Sequence, residues 1–207
     1  MPVHIVDHPL VQDALLSLRD VRTPPEEFRR ISGRVALLLA VEAMRDLPRT
    51  DATVETPLGL AHGSRVDAEV VVVPVLRAGL GMLEAVLTLF PRARVGHIGL
   101  QRDETTAVAS QYYARLPAPL DRSYVLLVDP MLATGGSAAA GLELLREAGA
   151  TDVRLVCVVA APEGIDRVSR RFPDVVIYTP AVDRELNERK FIVPGLGDFG
   201  DRLYGTE

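Results

Sequence analysis

The chain has 207 residues, enough for one domain with a substantial buried core. At 48% hydrophobic and 25% charged its composition is globular, and a net charge of −5 makes no case for nucleic acid as the main partner. A single cysteine excludes an internal disulfide framework.

The opening "MPVHIVDHPL" lacks the basic region and apolar stretch of a signal peptide. No apolar run approaches the roughly 20 residues of a spanning helix. A cytoplasmic protein that meets no membrane is expected. In chain order, "HPLVQDALLSLRD" (8–20) and "PPEEFRRISGRVALLLAVEAMRD" (24–46) predict two helices, the second opened by Thr23-Pro24 with acids in its first turn. They precede the sheet, so they are expected to pack around it or against another subunit. Near-continuous runs of valine, isoleucine and leucine follow at 69–76, 94–100, 123–129, 153–161 and 174–179, as strands buried on both faces read. Helical spacing fills the intervals at 80–90, 137–150 and 164–172, with Gly149 as a stop for the middle one. This alternation predicts an α/β fold with a mainly parallel sheet flanked by helices. Cys157 reads as a small core hydrophobe. The polar stretch 102–117 predicts a loop or an extended hairpin over a site.

Ligands of open parallel sheets bind beyond the carboxyl ends of the strands. Three such ends carry chemistry here: Arg77-Ala78-Gly79, Gln101-Arg102-Asp103-Glu104, and Asp129 leading to Thr134-Gly135-Gly136-Ser137. Gly135 and Gly136 permit positive φ and close backbone approach. Their amides, the Thr134 and Ser137 hydroxyls and the following helix N-terminus form a nest for a phosphate monoester, and Asp129 can accept hydrogen bonds from sugar hydroxyls. The blander alternative is a plain strand–turn–helix capped by Ser137. Arginines at the other two ends bind phosphate oxygens in a fork, which suggests a ligand with phosphates at both ends. No Walker A sequence is present. "GLGDFG" (195–200) matches a dinucleotide fingerprint literally, but too close to the end of the chain for the βαβ unit it needs. His4, His8, His62 and His97 lack ligand spacing, so a structural zinc site is not expected.

Four apolar residues, an acid and Thr-Gly-Gly-Ser resemble the phosphoribosyl pyrophosphate (PRPP) loop of type I phosphoribosyltransferases. Most of that superfamily carries two adjacent acids here. "VDPMLATGGS", with Pro130 in the second acid's place, is similar to the uracil phosphoribosyltransferase branch. "HPLV" (8–11), "VPVLRAGLGM" (74–83), "QRDE" (101–104), "VAAPEGI" (159–165), "LNE" (186–188) and "IVPGLGDFGDRLYGT" (192–206) agree in order, so the resemblance spans essentially the whole chain.

The resemblance implies a single domain over 1–207: a helical arm (1–50), a core (51–180) and a uracil-binding segment or hood (181–207). It implies the reaction of uracil with PRPP to give UMP and diphosphate in pyrimidine salvage. Arg77 and Arg102 fall on the diphosphate contacts and, with Asp129, carry the catalytic expectation. The PRPP loop is Asp129, Pro130, Met131, Leu132, Ala133, Thr134, Gly135, Gly136 and Ser137, joined by Asp198. Ile192, Gly197, Asp198 and Phe199 fall on the uracil segment, which the family reads largely with main-chain groups. Mg²⁺ is expected to arrive on PRPP rather than on a dedicated protein site, GTP is the expected activator, and a homo-oligomer, dimer or tetramer, is the expected assembly. The chain departs from the family pattern at Phe199, where alanine is usual, and at Lys190-Phe191, where a glycine-aromatic pair is usual. It also departs at Arg184-Glu185 and at "TTAVAS" (105–110). A nucleotide-sensing regulator on the same fold is the competing reading, but its basic RNA-binding face is not favoured by the charge.

Overall fold

In the computed structural model, which describes residues 3–102 and 109–206 and only the backbone of Arg102 and Ala109, the apolar runs assemble into one sheet covered on both faces. The chain enters through a short edge strand, β1 (Val3–Ile5), and two helices, α1 (Pro9–Arg19) and α2 (Pro25–Ala43). Proline sits in the first turn of each, where its missing N–H costs nothing. A hairpin follows, β2 (Arg49–Thr56) and β3 (Gly59–Val66), then β4 (Glu69–Leu76) and α3 (Leu80–Leu89). Next come β5 (Arg94–Val95), β6 (His97–Arg102) and β7 (Ala109–Arg115), then β8 (Ser123–Val128), β9 (Met131–Leu132) and α4 (Gly136–Glu147). The chain finishes with β10 (Asp152–Val156), β11 (Val159–Ala160), α5 (Pro162–Arg171), β12 (Val176–Thr179), β13 (Glu185–Leu186), β14 (Ile192–Val193) and α6 (Phe199–Tyr204).

The main sheet runs β1-β12-β10-β8-β4-β6-β7, with β5 also paired to β4. Every pairing in it is parallel except β6–β7, which is antiparallel. Alternation along the central strands sorts their side chains. Val70, Val72, Tyr124, Leu126 and Val128 face α1, α2 and α3, whereas Val71, Val73, Val125 and Leu127 face α4 and α5. Val11, Leu15, Leu18, Phe28, Val35 and Leu39 bring the N-terminal helices into the first of these cores, so they pack around the sheet. No described helix is long and apolar enough to cross a membrane.

One boundary differs from the sequence reading for a clear backbone reason. The run 153–161 is two strands, not one. Asp129 N–H donates to Val156 O at 3.1 Å as the last rung of the main ladder, but Pro130 has no N–H to continue it. Its carbonyl instead accepts from Val158 and Val159, and a second small sheet, β9–β11, begins there. The polar stretch 102–117 is, over its described part, the return strand β7 of a hairpin; the remaining 103–108, including most of "TTAVAS", lies outside the described residues.

Residues 183–202 are tied to the N-terminal helices. Arg19 forks onto Asp183 with two bonds of 2.7 Å and donates to Gly195 O, while Gly195 N–H donates back to Asp183 at 2.8 Å. Arg202 donates to Leu196 O at 2.8 Å and Asp20 O at 2.6 Å. These charge-assisted bonds fix a segment that has little regular structure of its own.

Candidate active site

The loop after β8 owes its shape to two glycines. Gly135 has φ +72° and occupies the cap position of α4, so the cap residue has no side chain to close that helix. A β-carbon on Gly135 would lie 2.8 Å from Gly164 O, and one on Gly164 would lie 2.5 Å from Ala133 O. Loop and α5 therefore touch backbone to backbone, which fixes the loop from behind. Ser137 is a residue inside α4 rather than its cap, so the plain capped-turn alternative does not describe this loop. With the Thr134 hydroxyl beside Gly136 N–H at 3.4 Å, the loop is a concave set of donors at a helix N-terminus, suited to phosphate.

Asp129 stands at the mouth of that loop. Among the described residues its carboxylate accepts one hydrogen bond, a long one of 3.4 Å from Met131 N–H. Burial pushes its carboxyl up from 3.8 to about 7, and the single amide offsets this only in part. Such an acid lacks partners that a hydroxylated ligand would supply.

The opposing wall comes from β14 to α6. Gly195 (φ +60°) and Gly197 (φ +80°) turn the backbone past Ile192 and into α6. Asp198 caps that helix, its Oδ1 accepting from Asp201 N–H at 2.9 Å. The Phe199 ring is buried edge-on against Phe28, with centroids 5.1 Å apart, so Phe199 offers the wall its main chain.

These two walls enclose a cleft of about 270 Å³. Asp129, Met131, Leu132, Ala133, Thr134, Gly135, Gly136 and Ser137 line one side; Ile192, Gly197, Asp198 and Phe199 line the other. Pro130 is buried beneath the loop. Arg77 does not line the cleft but stands exposed at the following turn. There Asp201 lies 3.4 Å from its Nη2 and Tyr204 donates to its carbonyl at 3.3 Å. Arg102 ends β6, whose Gly99 pairs with Leu76 next to Arg77, and its side chain is outside the described structure. Ala78, Ala138, Gly200, Lys190 and Phe191 also line the cleft; the sequence reading assigned none of them to the site, although it named Ala78 at a strand end and marked Lys190-Phe191 as a departure from the family pattern. The available signal was at 190, which holds the only lysine of the chain.

A family model described as uracil phosphoribosyltransferase matches residues 5–206. The uracil phosphoribosyltransferase of Thermus thermophilus is 50% identical over 208 residues, covering all of both chains. That of Dictyoglomus thermophilum is 49% identical over 206 residues, covering 99% of this chain and 100% of the relative. Among solved structures, the AQ2163 protein from Aquifex aeolicus superposes with a TM-score of 0.94 at 38% identity, covering 100% of this chain and 99% of that one. The adenine phosphoribosyl transferase of Trypanosoma brucei, solved with AMP, pyrophosphate and ribose-5-phosphate, shares the fold at 15% identity, with a TM-score of 0.59 over 95% of this chain and 87% of that one.

Proposed function

This chain belongs to the uracil phosphoribosyltransferase family, a family of pentosyltransferases, and from that premise we propose that it converts uracil and PRPP to UMP and diphosphate in pyrimidine salvage in the cytoplasm. The observation that carries the reading is the cleft itself. A phosphate-shaped loop at 129–137 and a backbone-rich wall at 192–199, some 60 residues apart in sequence, face each other across about 270 Å³.

In the proposed reaction the loop amides and the α4 N-terminus hold the 5′-phosphate, and Asp129 accepts from the ribose hydroxyls. The main chain of Ile192 and Gly197 to Phe199 orients uracil, with Asp198 toward PRPP. Loss of diphosphate leaves an oxocarbenium-like C1, so rate depends on holding leaving group, sugar and uracil N1 in line. Arg77 and Arg102 stabilise charge on the departing diphosphate. Uracil loses its N1 proton as the bond forms, and no side chain is assigned as base. Among the described residues the cleft offers two carboxylates, Asp129 and Asp198, a thin oxygen set that suits a Mg²⁺ keeping water and substrate phosphates as ligands. When bound, Mg²⁺ neutralises part of the diphosphate charge.

Self-association as a dimer or tetramer, and activation by GTP, are part of the proposal on the family likeness. The β2–β3 hairpin supports the first. It is exposed on both faces, carries Val54, Leu58 and Leu60 into solvent, and an isolated two-stranded ribbon is marginal in water.

The test is product stoichiometry. With uracil, PRPP and Mg²⁺, UMP and diphosphate should appear at equal rates. Diphosphate release without UMP would mean that water captures the ribosyl centre, and the transferase reading would fail.

A further inference from the structure

Basic residues are distributed very unevenly in this chain: 22 arginines against one lysine, Lys190. That lysine lines the cleft, and its backbone has φ +65°, the one positive φ on a non-glycine residue among those described. The left-handed region is disfavoured for any residue with a β-carbon, and glycine would occupy it freely. A unique residue type therefore sits in an unfavourable conformation beside the active site.

The local turn explains how it is held. Asn187 Oδ1 accepts from Arg189 N–H at 3.0 Å and Phe191 N–H at 2.9 Å, and Lys190 N–H closes onto Asn187 O at 2.8 Å. Leu186 N–H donates to Glu163 Oε1 at 3.2 Å, which pins this hairpin to the first turn of α5. The same turn, at Gly164, backs the phosphate loop. Lys190 thus shares its anchor with the loop. Its ammonium makes no hydrogen bond or ion pair among the described residues.

Charge decides what it serves. The charged residues lining the cleft are Asp129, Asp198 and Lys190. Two acids and one cation make a poor reception for a ligand bearing several phosphate charges, and among the described residues Lys190 supplies the only lining charge of the right sign. A flexible ammonium can reach a single phosphate oxygen, where a guanidinium fork demands a flat pair.

We infer that Lys190 is a ligand-binding residue whose ammonium contacts a phosphate group of the bound substrate or product. This rests on the uracil phosphoribosyltransferase reading and adds to it a residue at a position where the family pattern has glycine.

Calorimetric titration of the intact protein with ribose 5-phosphate, UMP, PRPP, inorganic diphosphate and uracil tests it, for wild type, Lys190→Gly and Lys190→Arg. Loss of one charge-assisted hydrogen bond should weaken phosphate-bearing ligands about tenfold in Lys190→Gly, with Lys190→Arg intermediate. The glycine variant should melt no lower than wild type, since its backbone is relieved. Weakening confined to PRPP and diphosphate assigns the contact to the leaving group; weakening of ribose 5-phosphate and UMP assigns it to the 5′-phosphate. Either supports the inference. Equal affinities in wild type and Lys190→Gly overturn it. So does weakening of uracil or UMP with ribose 5-phosphate, PRPP and diphosphate all unchanged, because Lys190 would then read the base. A wild type that binds none of the phosphate ligands would sink the transferase reading as well. Reductive methylation with peptide mapping is an independent check, because the chain has one side-chain amine. PRPP, which carries both the 5′-phosphate and the diphosphate, should slow methylation at Lys190 and uracil should not; no protection by PRPP also overturns the inference.

Discussion

Replacing Asp129 by asparagine should make the ligand-free protein more stable and the enzyme much worse. The substitution keeps the shape and an oxygen able to accept from Met131 N–H, and replaces the ionisable second oxygen by a neutral amide NH2. In the folded protein the carboxyl titrates near 7 rather than 3.8, because burial disfavours its charged form. The folded state therefore holds a proton that the unfolded chain releases between pH about 4 and about 7, so this group costs stability increasingly as pH rises through that window. About three pKa units at 1.36 kcal/mol each give about 4 kcal/mol at pH 8, and about 2 kcal/mol if water reaching the half-buried carboxyl screens half of it. Asp129→Asn should then melt roughly 5–15 °C above wild type at pH 8, with the difference shrinking toward zero at pH 4. Differential scanning calorimetry across pH 4–8 measures this directly. In parallel, loss of a charged acceptor for ribose hydroxyls should lower kcat/KM about a hundredfold. A melting difference that stays flat with pH, or an asparagine variant less stable at pH 8, would refute the idea of a desolvated carboxylate kept for its ligand.

Gly135→Ala should cost about 3 kcal/mol or more in urea denaturation, combining left-handed strain with a β-carbon 2.8 Å from Gly164 O, and should abolish PRPP binding. Gly149→Ala is the matched control: φ is +89° but no atom lies within 4 Å, so only about 1 kcal/mol of strain and no loss of activity is expected. Arg19→Ala strands the buried Asp183 carboxylate and should cost about 3–5 kcal/mol. It should raise KM for uracil more than KM for PRPP, because Gly195 loses its anchor. Asp201→Ala removes an exposed contact to Arg77 and should move the melting temperature little, while KM for PRPP rises several-fold in steady-state assays.

What could be read from the sequence was whatever depends on local composition. The β4 and β8 runs are almost pure Val, Ile and Leu, and their boundaries fall where the pattern stops, because strands buried on both faces tolerate little else. The shape of the loop at 129–137 was legible for a related reason: positive φ at Gly135 and the close approach at Gly164 leave glycine few substitutes. Features that depend on distant partners were not. The β2–β3 hairpin has no buried residue and hence no apolar period to announce it. The split of 153–161 comes from Pro130, which lies on another strand's end and withholds a rung. Phe199 was expected at the uracil segment, yet its ring goes to Phe28, a neighbour 171 positions earlier in the chain. The tether of Arg77 to Asp201 spans 124 positions and involves residue types that are unremarkable in isolation.

A one-pot competition is the most direct test of the central claim. The intact protein would be given limiting PRPP, Mg²⁺ and equimolar uracil, cytosine, adenine and hypoxanthine, and the nucleotide products separated by chromatography. UMP as the dominant product is expected from the proposal that the wall at 192–199 presents its main chain to the base and the loop at 129–137 holds the phosphate. Another nucleotide in excess, or PRPP left unconsumed, would contradict it.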